Sequence, residues 1–258
     1  MIYTIFTFLS ITLVFVITDS PLKQSGRNIA SMNSAYGYRT LCKIKPFNPR
    51  SKVDIVIIDN FELGEECKNK ILSPDSRIYG HGKLVYNIIQ KESPYSRKAL
   101  ISVNETENGI VGAINAAILL NPRIINISMA GEGYDIREHA AIKKASDRGI
   151  LIIAASGNNI ERNSDCSYPA CYKEVLSIGH MGENETTIYS KSSKDNIDFI
   201  VSRDFGKFNG SSLGTALVTG MIANLNNRQS KSQAIKYLAQ SSRLSSLSKY
   251  GIVKRENK

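Results

Sequence analysis

Short apolar runs, rich in β-branched residues and separated by stretches with helical periodicity, constrain the fold of this chain more than anything else in it. The runs are Val53–Ile58, Ala99–Val103, Ile124–Met129, Ile150–Ala155, Val175–Ile178 and Ile197–Val201. Each has strand length and stays apolar nearly throughout, where a half-exposed strand would alternate. Such strands are covered on both faces. Helical patterns fill the intervals at His81–Gln90, Gly109–Leu120, Tyr134–Arg148 and Ser212–Leu225. The Gly109–Leu120 stretch is apolar almost all round, which predicts a buried helix. Asn121-Pro122 ends it, because a residue before proline is pushed out of helical geometry. Strands alternating with helices predict an α/β domain built on a mostly parallel sheet with right-handed crossovers.

A chain of 258 residues can bury a substantial core, and 42% apolar with 22% charged residues describes a globular protein. The net charge of +10 is not gathered into a basic stripe with interleaved aromatics, so no nucleic-acid partner is expected. From Ile2 to Thr18 there is no charged side chain. That stretch is shorter than the roughly 20 residues that span a bilayer and suits the apolar region of a secretory signal. Residues 1–18 therefore read as a signal peptide or a retained anchor, and the rest as exported, either secreted or periplasmic. Contact with a membrane is expected only through an uncleaved N-terminal segment. Residues 19–50 form a polar, basic arm, 51–242 the folded domain and 243–258 a basic tail, with the chain beyond Leu238 expected to fray.

The four cysteines agree with export. Cys166 and Cys171 flank Ser-Tyr-Pro-Ala, a turn-forming stretch that can bring them together, which leaves Cys42 and Cys67 as the second pair. Proximity alone supports this pairing, since four cysteines allow three connectivities. Four independent small hydrophobes are the bland alternative. No metal is expected, because no Cys-x-x-Cys pair or nearby histidine offers tetrahedral spacing.

In parallel sheets, functional groups gather at the carboxyl ends of strands and the amino ends of the helices that follow. Asp59 ends the first apolar run, His81 opens a helix between Gly80 and Gly82, and Ser212 opens another after Asn209-Gly210-Ser211. An acid, a base and a hydroxyl in those places can turn an alcohol into a nucleophile. Each also has an ordinary reading. Ser212 or Ser211 can cap a helix, His81 can be a surface histidine, and Asp59 can cap a turn. His180, after a strand, is the next best placed histidine, whereas His139 lies in an exposed-looking helix and is expected to be solvated. Asn158 shifts the balance. It stands just beyond a buried strand in Ala154-Ala-Ser-Gly-Asn158, where its carboxamide N–H can donate to an oxyanion together with the Ser212 N–H.

These segments resemble the subtilisin-like serine proteases, the subtilases. Asp59 ends the strand that carries the family's triad aspartate, and Gly80-His81-Gly82 is similar to its His-Gly motif. Asn126-Ile-Ser-Met-Ala-Gly131 resembles the edge strand that holds substrate peptides. Ala154–Asn158 resembles the oxyanion segment, Ser167-Tyr-Pro-Ala the loop after it, and Gly210-Ser-Ser212-Leu the nucleophile motif. The departures are Lys83 and Leu84 after the histidine, and Gly214, Ala216 and Leu217 after the serine. The intervals between the three motifs are also short for the family, and the arm at 19–50 is too short for the propeptide many members carry.

The resemblance implies a three-layer αβα fold, with residues 51–242 as a peptidase domain. It implies a monomeric serine endopeptidase with Asp59, His81 and Ser212 as triad and Asn158 at the oxyanion. Peptide or protein substrates would lie extended along Ser128, Met129, Ala130 and Gly131, with a side-chain pocket beside Ala155, Ser156 and Gly157. The chemistry requires no cofactor, and structural calcium is left open. A subtilase-like protein that binds peptides without cutting them is the alternative.

Overall fold

The computed structural model describes residues 52–63, 71–72, 78–158, 166–182, 194–206 and 208–254. The N-terminal apolar segment, the arm, Cys42 and Cys67 lie outside them. The described strands are β1 (Ile55–Asp59), β2 (Glu62–Leu63), β3 (Ile71–Leu72), β4 (Ile78–Tyr79), β5 (Lys98–Ser102), β6 (Ile124–Ile127), β7 (Leu151–Ala155), β8 (Val175–Met181), β9 (Phe199–Ser202), β10 (Ser242–Arg243) and β11 (Ile252–Lys254). The helices are α1 (Gly80–Glu92), α2 (Gly109–Leu119), α3 (Ile136–Asp147), α4 (Ser211–Ala223) and α5 (Lys231–Ala239). The main sheet runs β10-β11-β9-β8-β7-β6-β1-β5-β3. It is parallel except where β3 joins β5 and β10 joins β11. β2 and β4 form a separate antiparallel ribbon.

Alternation along each strand sorts the core into two layers. Ile55 and Ile57 pack with Leu100, Ile153, Ile178, Val85, Leu217 and Leu238 on the α1, α4 and α5 side. Val56 and Ile58 pack with Ile101, Ile125, Ile152, Ile114 and Ile142 on the α2 and α3 side. The result is helices, sheet, helices: the three-layer αβα expected. Both sheet faces are dry, which is why the runs read as continuously apolar.

Helix α4 is buried at every residue from Ser211 to Ala223. It lies between the sheet and α1, so neither of its faces meets water. Its last carbonyls therefore need a partner inside the protein. Arg123, just before β6, supplies it: the guanidinium donates to the carbonyls of Ala223, Leu225 and Asn227 and pairs with Asp54 Oδ1 at 3.1 Å. Burial raises the Asp54 carboxyl, but the Arg97 N–H and the Arg123 guanidinium outweigh it and hold the group below its ordinary value.

The C-terminal part holds a helix absent from the sequence pattern, and one expectation about it needs correction. Lys231–Ala239 is a helix, opened by a capping box in which Ser230 and Gln233 satisfy each other's N–H groups. The chain beyond it, as far as Lys254, is not frayed. Ile252 and Val253 are 1% and 0% exposed in β11, which pairs parallel with β9. Lys249 and Tyr250 donate their N–H groups to Ile197 O and Asp198 O. The Ser-, Lys- and Arg-rich composition concealed a strand only three residues long.

Arg123 is 9% exposed at its side chain and its partner Asp54 16%, so removing it leaves the Ala223 carbonyl without its donor and takes from Asp54 one of its two arginine partners, Arg97 being the other. Arg123→Met is expected to lower unfolding free energy by about 1–3 kcal/mol, the cost of a buried acceptor left without its donor. Lys143→Ala breaks an exposed pair with Asp147 one helical turn away and is expected to cost under ~0.5 kcal/mol. Urea denaturation of both variants checks the ranking.

Candidate active site

The parallel register brings the carboxyl ends of β1, β6 and β7 level with one another: Ile58 pairs with Ile127, and Ile127 with Ala154. Asp59, Ser128 and Asn158 leave the sheet at that rim, and α1 and α4 begin there. A cleft of about 430 Å³ opens between them, with Asp59, His81, Asn158, Ser211 and Ser212 on its walls.

Asp59 is fully buried, and its Oδ1 accepts from His81 Nδ1 and from the Asn60 N–H, both at 2.7 Å. Its Oδ2 is buried without a hydrogen-bond partner among the described residues. Burial pushes the Asp59 carboxyl up, against the lowering pull of His81. The bond to Asp59 raises the His81 imidazole above the ordinary histidine value, with burial opposing. The His81 side chain is 45% exposed, so the acid is hidden while the base faces the cleft. A glycine follows His81 for a local reason. A Cβ on Gly82 would stand 2.5 Å from the Phe61 ring and 2.9 Å from Asn60 O.

Ser212 is 7% exposed, and its Oγ donates to Ser128 O at 2.8 Å. Among the described residues no hydrogen bond joins that hydroxyl to His81. In return Ser128 Oγ donates to Ser212 O at 3.0 Å, and Asn126 and Thr219 extend the chain of buried polar contacts inward. Neither Ser211 nor Ser212 caps the helix, since Gly210 holds that position. Ser211 instead donates both its N–H and its Oγ to Asn158 Oδ1, each at 2.7 Å. With its oxygen held, Asn158 is left with the Nδ2 hydrogens to offer. The Ser212 N–H sits in the first turn of α4, where no intrahelical acceptor exists. Ser211 was legible only as a helix cap; no spacing rule marks a clamp on an asparagine from the segment after β7.

Of the expected substrate-contacting residues, Ser128, Met129, Ala130, Gly131, Ala155 and Gly157 line the cleft, as do Glu132 and Ser167. Ser156 is completely buried and is not part of the lining. Its N–H still donates to Ile178 O, and successive residues of a strand point to opposite sides. The expected edge strand is also corrected. Asn126 and Ile127 lie in β6, paired between β1 and β7, and only from Ser128 does the chain leave the sheet. Gly131 then forms an antiparallel bridge with Tyr168.

His180 does not compete for the base's role. It is fully buried in β8, with Nε2 2.8 Å from Arg203 O and Nδ1 3.2 Å from the Gly210 N–H. His139 is not solvated as expected. It is held between Tyr134 Oη and Glu174 Oε2, both at 3.0 Å, and stacks on Tyr172. Cys166 and Cys171 form a disulfide. Among the described residues no group of three or more His, Cys, Asp or Glu side chains is placed to hold a metal.

A family model, the subtilase family, matches residues 98–247, more than half of the chain. The chain belongs to the subtilases. Its relatives include the major intracellular serine protease of Bacillus subtilis strain 168, 29% identical over 160 residues, with 54% of this chain and 50% of that protein covered. Subtilisin E of the same strain is 26% identical over 152 residues, covering 54% and 40%. This subtilase thus spans about half the length of the curated relatives it matches. Among solved structures, the patellamide maturation protease PatA aligns with a TM-score of 0.58 at 19% identity, over 78% of this chain and 93% of that one. A psychrophilic protease, S41, aligns at 0.59 and 17%, over 80% and 92%. These likenesses show the fold.

The geometry around His81 makes a direct prediction. Asp59→Asn keeps a polar group of the same size but removes the charge that raises the imidazole. The His81 titration, followed by the NMR shifts of its ring protons, is expected to move to lower pH. A titration unchanged by the substitution would mean that the 2.7 Å contact carries no charge coupling.

Proposed function

We propose that this subtilase is an exported serine endopeptidase that hydrolyses peptide bonds through an acyl-enzyme. One observation carries the reading. Asp59 holds His81 at 2.7 Å on the wall of the same cleft that receives Ser212 and Asn158. Asp59 fixes Nδ1 as the protonated nitrogen, which leaves Nε2 as the base. In this reading the Ser212 hydroxyl turns about its Cα–Cβ bond from Ser128 O toward that nitrogen. Oγ attacks the scissile carbonyl as its proton passes to Nε2. The Asn158 carboxamide and the Ser212 N–H stabilise the oxyanion, and imidazolium then protonates the leaving amine. Water repeats the sequence on the acyl-enzyme to release the acid. Substrate lies extended beside Ser128–Gly131 and pairs through its backbone.

Export rests on the uncharged run Ile2–Thr18 and on the Cys166–Cys171 disulfide, since disulfides persist in oxidising compartments. Among the described residues no helix is long and apolar enough to cross a membrane. The matched relatives include intracellular proteases, so kinship does not argue for export.

A second reading has its own observation. The Ser212 hydroxyl is bonded to Ser128 O, an arrangement that suits a protein that binds peptides without cutting them. A fluorophosphonate probe separates the two. The enzyme is expected to be labelled in wild type and unlabelled in Ser212→Ala. In Asn158→Ala labelling should be slower by about 100- to 1000-fold, the usual effect of losing one oxyanion donor. Folded wild type that resists the probe would favour the binding protein. The His81 base must be neutral to act and its pKa is raised, so labelling should fall with decreasing pH from above the ordinary histidine value of about 6.5.

A further inference from the structure

Four of the described helices have a defined cap position, and at α2 the residue there, Asn108, makes no side-chain cap bond. The Asp135 side chain caps α3 and Ser230 caps α5, each accepting an N–H of the first turn. Helix α4 has Gly210 at that position, which has no side chain to offer. A Cβ there would stand 2.8 Å from Asn158 Nδ2 and would displace that carboxamide. Yet this is the helix end that carries Ser211 and Ser212, so its position must be set from outside.

His180 is the group that reaches it. From β8, the imidazole accepts the Gly210 N–H at Nδ1, which makes Nε2 the protonated nitrogen, and Nε2 donates to Arg203 O at 2.8 Å. Arg203 and Gly210 are the two ends of the connection from β9 to α4. The other hydrogen bonds described for that connection are local to it: Gly206 N–H to Asp204, and Asn209 to Phe205 and Gly206. The Phe205 ring lies 5.2 Å from the imidazole, under the Arg203 guanidinium. Burial depresses the His180 imidazole below its ordinary value, while Arg203 O and Asp204 pull the other way, which favours a neutral ring.

We propose that His180 is a positioning residue for the nucleophile: it ties both ends of the 203–210 connection to the sheet and so fixes the Gly210 peptide from which Ser212 and the Asn158 clamp are built. The chain of contacts is short. The Gly210 carbonyl accepts from the Leu213 and Gly214 N–H groups, so the orientation of this residue sets the first turn. Ser211, next in sequence, holds Asn158 Oδ1 with its N–H and hydroxyl. A shift at Gly210 therefore displaces the attacking hydroxyl and an oxyanion donor together. That coupling makes a small misplacement expensive in rate. The catalytic part of this inference rests on the protease reading; the tether itself does not.

Two substitutions divide the imidazole's bonds. His180→Asn keeps an acceptor level with Nδ1 for Gly210 and loses the reach to Arg203. His180→Gln keeps a donor near Nε2 and loses the acceptor. Amide hydrogen exchange on the full chain reads the tether: the Gly210 N–H is expected to exchange at least about tenfold faster in H180Q than in wild type or H180N, with β8 amides unchanged. Fluorophosphonate kinetics read the consequence. The maximal labelling rate in H180Q should fall by at least about tenfold at unchanged half-saturating probe, and H180N should stay within about threefold of wild type. Equal Gly210 exchange in all three proteins would overturn the tether. An intact tether effect without a rate difference between the variants would overturn the positioning role. A purely structural role would make both variants lose rate in step with stability, which urea titration would show, and that too would overturn it. If folded wild type resists the probe, the protease reading fails, and Gly210 exchange still decides the tether.

Discussion

The site depends on the burial of one helix along its whole length. α4 is enclosed between the sheet and α1, and every residue from Ser211 to Ala223 is buried, with only Ser211 and Ser212 reaching the cleft. Burying a helix that way supplies apolar packing through Leu213, Leu217, Val218, Met221 and Ile222. It also strands the polar groups at both ends, where no intrahelical bonds exist. The protein answers with polar side chains from neighbouring segments: Arg123, just before β6, at one end, and His180 of β8 with Asn158, just after β7, at the other. The machinery of the cleft is in large part the machinery that lets α4 sit inside.

A second constraint is electrostatic. Asp59 lies at the dry end of β1, where a carboxylate is costly unless it is hydrogen-bonded. Only Oδ1 is satisfied by the described residues, through Asn60 and His81, and Oδ2 is not. A buried group left short of partners is unusual in a native fold and is more at home where chemistry is done than where packing is the aim. The imidazole it holds stands half in solvent, so a charge formed there in the proposed proton transfer would be stabilised from one side by the acid and open to the cleft on the other.

The sheet was legible because both of its faces are dry, which wrote Ile55–Asp59 or Leu151–Ala155 as apolar runs that no half-buried strand would show. β11 was not, because Ile252 and Val253 are too brief a signal among Ser, Lys and Tyr, and a parallel partner 50 residues away leaves no local trace. α5 carried a readable capping box at Ser230 and Gln233, but its apolar stripe of Ala234 and Leu238 is narrow. At the site, Asp59, His81, Ser212 and Asn158 could be named because strand ends and helix starts are predictable places. The direction of the Ser212 hydroxyl could not, since a rotamer is decided by whichever acceptor is nearest in three dimensions. Nor could the bond from His180 to Gly210, a contact between a strand and a loop that no sequence spacing encodes.

The residues that depart from the family pattern turn out to bear on packing rather than on proton transfer. Ala216 and Leu217 are 0% and 1% exposed in the core beneath α4, and Leu84 packs against the same cluster. Lys83 lies over the Tyr86 ring along α1. None of them is on the cleft lining. Apolar residues at 216 and 217 suit a helix packed between the sheet and α1, and neither stands on the cleft wall. Whether the cleft cuts or only binds therefore turns on one hydroxyl, placed 2.8 Å from Ser128 O by a helix end that His180 and Asn158 hold in register.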